Sequence, residues 1–275
     1  MVVGVDRYAV FGNPIGHSKS PLIHRWFAEQ TGQDLQYEAI LAPVDGFADC
    51  WQDFVQAGGK GANVTVPFKE VAFALAQVLS ERAKQAGAVN TLYISSNGQL
   101  CGDNTDGQGL IADLERLGVA IAGARVLLLG AGGASRGVVG PLLEAGAAQV
   151  HIANRTADKA TTVAGLFNGQ VTASGFNDIP RLNWQIVINA TSSGLSQQRP
   201  DIDASHLQSC RLAYDMMYGK EPTAFLNWSQ QHGVPICADG IGMLVAQAAE
   251  SFQLWRGVKP ELAPVLEKIT ALVRR

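Results

Sequence analysis

The sequence predicts an α/β protein of two domains, the first with a mostly parallel sheet and the second of Rossmann type, and three observations carry that reading. Short β-branched runs alternate with amphipathic stretches almost from end to end, which is the rhythm of βαβ units. A glycine-rich turn at residues 130–133 lies between a buried apolar run and a helical one and opens a second such series. The chain has 275 residues, 47% of them hydrophobic and 16% charged. That is long enough for two cores and too apolar for a disordered chain.

Residues 8–12 read as a strand, and 21–30 as a helix with Leu22, Ile23, Trp26 and Phe27 on one face. Residues 36–41 are strand-like, and 46–57 form a helix turning Phe47, Trp51, Phe54 and Val55 inward. Residues 62–66 make a strand that ends at Pro67, followed by a helix through Leu79, a further helix at 80–87 and a strand at 89–94. A long helix at 107–117 precedes the second series. There, residues 125–129 form a buried strand and 135–145 a helix, with further strands at 150–153, 186–189 and 212–215. Residues 242–256 and 261–273 read as two closing helices with Pro260 between them. There is no internal repeat and no low-complexity linker.

The formal charge of −3 leaves no basic footprint for nucleic acid or an anionic membrane, so an anionic ligand would need local positive contacts. No apolar run reaches membrane-span length, and residues 1–6 lack the regions of a signal peptide, so a cytoplasmic protein is expected. Cys50, Cys101, Cys210 and Cys237 are scattered without a C-x-x-C pair. Free thiols in a reducing compartment are the expectation, with no structural zinc. The histidines are dispersed, so neither a metal centre nor a charge-relay triad is expected, and His17 reads as a loop-packing residue or one at a helix start.

The run Val126-Leu-Leu-Leu-Gly-Ala-Gly-Gly-Ala-Ser-Arg-Gly137 places Gly130, Ala131, Gly132, Gly133, Ala134 and Ser135 between strand and helix. Gly130 and Gly132 permit a tight turn and close approach to a pyrophosphate, which then meets the positive end of the helix. Ser135 replaces the third glycine of the usual pattern, a modest departure because that position needs only a small residue. A site for NAD normally ends the next strand in an acidic residue. Here Asn154, Arg155 and Thr156 stand in that place, with Lys159 one turn later. A guanidinium there suits a 2′-phosphate, so NADP is the expected cofactor.

Four polar clusters occupy strand ends or loops of the first half: Gly12-Asn-Pro-Ile-Gly-His-Ser-Lys-Ser-Pro21, Asn63-Val-Thr-Val-Pro-Phe-Lys69, Ala88-Val-Asn-Thr91 and Gly102-Asp-Asn-Thr-Asp-Gly107. In an open parallel sheet such loops can converge on a ligand. Singly, each has an ordinary reading. Ser18 and Ser20 can cap the helix opened by Pro21, Lys69 can be a solvated lysine, Asp106 can cap the next helix, and Asn90 and Thr65 can satisfy turns. Asp103 and Asn104 can belong to their turn alone.

Together and in this order, the clusters resemble the shikimate dehydrogenase family over nearly the whole chain. The serine loop, Asn63 to Lys69, Ala88 to Thr91, the G-x-N-T-D-G segment, the Gly130 turn and Asn154-Arg155-Thr156 all fit its pattern. So do Asn189-Ala-Thr-Ser-Ser-Gly194, Tyr214-Asp-Met-Met-Tyr218 and Gly242-Met-Leu-Val-Ala-Gln247. The resemblance implies a substrate and catalytic domain of residues 1–106 plus 239–275, with the closing helices returning to it, and an NADP-binding Rossmann domain of 107–238. It implies reduction of 3-dehydroshikimate to shikimate by a monomer or homodimer, with no nucleic acid, membrane or metal involved. Lys69 and Asp106 would be the catalytic pair, and Ser18, Ser20, Thr65, Asn90, Tyr218 and Gln247 would join them in holding substrate. Thr191, Ser192, Met216 and Gly240 would neighbour the nicotinamide. A quinate/shikimate dehydrogenase with broader range or NAD use, and a non-catalytic NADP-binding regulator, are the rival expectations.

Overall fold

A computed structural model describes residues 5–191 and 198–275. The chain divides into two compact units, one of 1–109 with 245–269 and the other of 110–244 with 270–275. Ser192 lies outside the described residues.

In the first unit the elements run β1 (Asp6–Gly12), α1 (Ser20–Thr31), β2 (Leu35–Leu41), α2 (Phe47–Gln56), β3 (Gly59–Val64), α3 (Lys69–Leu75), β4 (Val78–Leu79), α4 (Glu81–Ala86), β5 (Thr91–Ile94) and β6 (Leu100–Asp103). The sheet order is β2-β1-β3-β5-β6-β4. The β1–β2, β1–β3 and β4–β6 pairs are parallel, while β5 is antiparallel to both β3 and β6. One face packs Phe11, Phe47, Trp51, Phe54 and Phe68 into a core, with edge-to-face contacts from Phe11 to Phe47 and Phe54. On α1, Ile23, His24 and Phe27 are buried, and Phe252 meets His24 and Phe27.

Three local expectations change. The helix after Pro67 stops at Leu75, because Ala76 turns extended (φ −68°, ψ 132°) and frees Val78–Leu79 to pair with Cys101 and Gly102. The segment around Gly102, expected as a strand end or loop with no strand assigned before it, belongs to strand β6. A Cβ on Gly102 would lie 2.8 Å from both Ala76 and Val89, so this glycine marks close packing within a strand. Strand β3 ends at Val64, which leaves Thr65 in the turn.

The remaining elements are α5 (Asp106–Arg116), β7 (Arg125–Leu129), α6 (Gly133–Glu144), β8 (Gln149–Asn154), α7 (Ala157–Ala164), β9 (Val171–Gly175), β10 (Ile186–Asn189), β11 (Leu212–Asp215), α8 (Ala224–Gln231), β12 (Ile236–Asp239), α9 (Ile241–Arg256) and α10 (Leu262–Val273). The second sheet is wholly parallel in the order β12-β11-β10-β7-β8-β9, the doubly wound dinucleotide-binding arrangement. Its inner strands β7, β8, β10 and β11 are buried on both faces, with Val126 and Leu128 in one core and Leu127 and Leu129 in the other. Strands β9 and β12 and helices α7 and α8 extend this unit beyond the elements expected from sequence.

Within the second unit, Asp113 is buried and fixed by the Tyr214 hydroxyl at 2.7 Å and Arg116 Nε at 2.7 Å. Gly242 packs directly on it: a Cβ there would lie 1.9 Å from Asp113 Oδ1. The substitution Gly242→Ala is therefore expected to cost about 2 kcal/mol or more by overpacking, outweighing the ~1 kcal/mol helix advantage of alanine. A urea midpoint no lower than that of the parent protein would contradict this.

Candidate active site

The first unit brings its polar loops to one edge of the sheet through strand direction. Strands β1 and β3 run parallel and end together, with Phe11 beside Val64. The serine loop that follows β1 and the Thr65 turn that follows β3 are therefore neighbours, joined by Asn13 N donating to Val66 O at 3.0 Å. Because β5 is antiparallel to both flanking strands, its beginning lies at this same edge, where Thr91 pairs with Asn63 and with Asp103.

At that edge Lys69 and Asp106 meet. Lys69 is the first residue of α3 and Asp106 the first of α5, and Lys69 Nζ lies 2.5 Å from Asp106 Oδ2 with both side chains largely buried. Asn90 Nδ2 donates to the other carboxylate oxygen, Asp106 Oδ1, at 2.8 Å, and reaches Gln247 Oε1 at 3.3 Å. Asn90 Oδ1 accepts the Thr105 amide at 2.8 Å and the Thr91 hydroxyl at 2.8 Å. Lys69 is thus an ion-pair partner rather than a solvated lysine. Asp106 is the first helical residue rather than a cap, and its own amide is taken by Asn104 Oδ1 at 3.1 Å.

The serines do not cap α1 through their side chains, and its N-cap is Lys19. Ser18 Oγ accepts the Ser20 amide at 3.3 Å, and Ser20 itself is buried. His17 stands exposed in the loop rather than packed. Asp103 does more than close a turn. Arg82 grips both of its oxygens at 2.6 and 2.7 Å, and the Ser80 hydroxyl adds a third bond. Burial opposes ionisation of Asp103, but the bonds from Arg82 and Ser80 win and hold its carboxyl below the ordinary value.

Asn63 belongs to a polar motif that by sequence assigns it no role of its own. It is buried and central: its Oδ1 accepts from Tyr37 at 2.7 Å and from His24 Nε2 at 3.1 Å. Its Nδ2 donates toward Thr91 and Ser251. Thr105 likewise joins Asn90, Ser251 and Gln247 O. The sequence signal for His24 was only its helical spacing from Ser20.

In the second unit the carboxyl ends of adjacent strands carry the other candidates. Gly130 adopts φ 110°, and a Cβ on it would lie 3.1 Å from the Ala190 backbone, so the turn requires glycine. Gly132 is the N-cap of α6, which has no side-chain cap, and added Cβ atoms on Gly132 or Gly133 would meet nothing within 4 Å. Ala131, Ala134 and Ser135 complete the turn and first helical residues. That open, uncapped helix start fits a phosphate group. Gly130 N donates to Ala153 O at 2.8 Å, so Asn154, Arg155, Thr156 and Lys159 follow on the next strand end, Arg155 and Lys159 being exposed.

On the other side, Thr191 gives its amide and hydroxyl to Asn189 Oδ1, and Asn189 Nδ2 donates to Asp215 at 3.0 Å. Asp215 also takes the Met217 amide and the Thr223 hydroxyl. Met216 and Gly240 continue this edge, with Met216 N bonded to Asn189 O and Gly240 N to Met217 O. Tyr218 follows β11 in this unit, half-buried, and burial raises its hydroxyl pKa. Among the described residues no group of three or more His, Cys, Asp or Glu side chains could hold a metal ion, and no helix is long and apolar enough to cross a membrane.

Three family profiles match in succession: "Shikimate dehydrogenase substrate binding domain" over residues 10–92, "Shikimate / quinate 5-dehydrogenase" over 114–212, and "Shikimate 5'-dehydrogenase C-terminal domain" over 240–270. The chain is 55% identical over 272 residues to the shikimate dehydrogenase (NADP(+)) of Cellvibrio japonicus, covering 98% of each. Among solved structures it is similar to an Ael1 enzyme from Pseudomonas putida, at 44% identity and TM-score 0.92, over 96% of this chain and 98% of that one. It is also similar to the shikimate 5-dehydrogenase of Thermus thermophilus in complex with NADP(H) and shikimate. There the identity is 32% and the TM-score 0.84, over 95% and 97% of the two chains.

The buried histidines set an acid limit. Burial lowers the pKa of His24 to about 3 and that of His151 to about 4. Both folded values lie below the unfolded one near 6.5, so their contribution to stability is full above that pH and lost as pH falls toward the folded values. Stability should decline below about pH 6, by up to about 1.4 kcal/mol per pH unit per histidine. Urea titrations at several pH values check this, and a flat profile between pH about 7 and about 4.5 would refute it.

Proposed function

The chain belongs to the shikimate dehydrogenase family, and on that premise we propose that it is an NADP-dependent oxidoreductase interconverting 3-dehydroshikimate and shikimate. The observation that carries this reading is the Lys69–Asp106 pair, with Asn90 on the second carboxylate oxygen. NADPH, when bound, supplies the hydride that reduces the ketone carbon. Negative charge then builds on the ketone oxygen. The Lys69 ammonium stabilises that charge and donates the proton that completes the alcohol. Asp106 orients the ammonium and offers an acceptor to an adjacent substrate hydroxyl. Thr65, Asn90 and Gln247 suit ring hydroxyls, and the serine loop suits the carboxylate end.

The cofactor preference rests on Arg155 and Lys159 beyond β8, where no acidic side chain ends the strand. A guanidinium holds a 2′-phosphate by charge-assisted hydrogen bonds, which the 2′-hydroxyl of NAD cannot match. The four cysteines are free thiols, in keeping with a reducing, cytoplasmic setting, and the working form proposed is a monomer or homodimer.

Purified protein with shikimate and NADP+ should form NADPH, and dominant NAD-linked oxidation of quinate would instead favour the broader quinate/shikimate reading. Lys69→Ala is expected to lower kcat by about 10²–10⁴, the range of general acid–base catalysis, with NADP+ affinity changed less than about twofold. An unaffected rate would remove Lys69 from its role. Arg155→Ala should raise KM for NADP+ by about 10- to 100-fold, on the scale of hydrogen bonds to a charged group, and leave KM for NAD+ nearly unchanged. Equal changes for the two cofactors would contradict the phosphate contact.

A further inference from the structure

Behind the Lys69–Asp106 pair the first unit holds a continuous chain of buried polar side chains. Asp106 Oδ1 is held by Asn90 Nδ2, and Asn90 Oδ1 takes the Thr91 hydroxyl. Thr91 Oγ1 lies 3.2 Å from Asn63 Nδ2 and 2.8 Å from Ser251 Oγ. Asn63 Oδ1 then receives two donors, the Tyr37 hydroxyl and His24 Nε2.

The inner end of this chain is arranged to donate. His24 is fully buried, and its ring stacks on Tyr37 with centroids 4.1 Å apart and planes 5° from parallel. Trp255 and Phe252 lie beside it. Burial keeps the imidazole neutral, so the one proton it carries belongs on Nε2, facing Asn63. Its Nδ1 is buried without a hydrogen-bond partner, a cost that the fold accepts. Burial also keeps the Tyr37 hydroxyl protonated. With both acceptor positions of Oδ1 filled, the Asn63 amide has one orientation: Oδ1 toward Tyr37 and His24, Nδ2 toward Thr91 and Ser251.

We infer that His24 and Tyr37 are positioning residues for the reaction, fixing the Asn63 amide and, through Thr91 and Asn90, the Asp106 carboxylate. This inference rests on the dehydrogenase reading above. A network used only for folding would affect stability alone. A positioning network also sets how often Asp106 and Lys69 stand in the reactive arrangement, and therefore kcat.

The test uses the whole protein with shikimate and NADP+ at saturation. Tyr37→Phe removes one oxygen and keeps the stacked ring. It should lower kcat on the order of tenfold, the scale of one unmade buried hydrogen bond, with KM for NADP+ changed less than about twofold. In an Asn90→Ala background, where the chain is already cut, the same substitution should lower kcat less than about twofold further, because coupled sites are not additive. His24→Leu should behave alike, and if it does not fold, Tyr37→Phe decides alone. An unchanged kcat in Tyr37→Phe, or the same fold loss in both backgrounds, overturns the inference. Failure of the unmodified protein to oxidise shikimate would instead sink the function on which it rests.

Discussion

A carboxylate held from both of its oxygens is the constraint around which the first unit is organised. Asp106 meets the Lys69 ammonium on Oδ2 and the Asn90 amide on Oδ1. Such a pair is a poor device for stability, because removing two charges from water costs about as much as their attraction returns. Its value is geometric. The ammonium and carboxylate begin two different helices, so their separation is set by backbone packing and not by flexible stems alone.

That geometry depends on the mixed character of the first sheet. In a wholly parallel sheet, the residue preceding β5 would lie at the opposite edge from the end of β3, about 10 Å or more away for a strand of this length. Reversal of β5 brings Asn90 next to the Asn63–Lys69 segment, and the return of β6 delivers Asp106 to the same edge. The close packing at Gly102 is part of the same solution, since the strand must pass against Ala76 and Val89. Arg82 and Ser80 on Asp103 then secure the strand end from which the Asp106 helix departs.

Local periodicity and the glycine turn made the architecture legible in sequence, and the polar motifs marked the loops that converge. What stayed hidden depends on pairing across strands. Nothing near Leu100 announces a strand, because its partner is β5 and its neighbour β4 is two residues long. The parts played by Asn63, Tyr37, His24 and Ser251 were invisible for the same reason. Each is an ordinary residue in its own element and becomes part of one network only when β2, β3, α1 and α9 are assembled. Ser18 and Ser20 illustrate the converse: their spacing from Pro21 fits a cap, yet the N-cap is Lys19 and Ser18 Oγ takes the Ser20 amide instead.

The two units meet anionic chemistry in different ways. The chain has a formal charge of −3, so it gathers anions by local arrangement and not by its overall field. In the second unit the local means proposed are charges and dipoles: exposed Arg155 and Lys159, and the uncapped start of α6. In the first unit Lys69 and Arg82 are each paired with a carboxylate, Asp106 and Asp103. For a small polar ligand the first unit then offers the Lys69–Asp106 ion pair together with neutral hydroxyls and amides in fixed orientations. Attraction by charge discriminates poorly among acids, whereas a site built to hydrogen-bond particular hydroxyls leaves its own buried groups unpaired when one is missing. Selectivity in the proposed reaction therefore draws on the rigidity of this hydrogen-bonded network, which on the inference above begins in the core, at the stacked His24 and Tyr37.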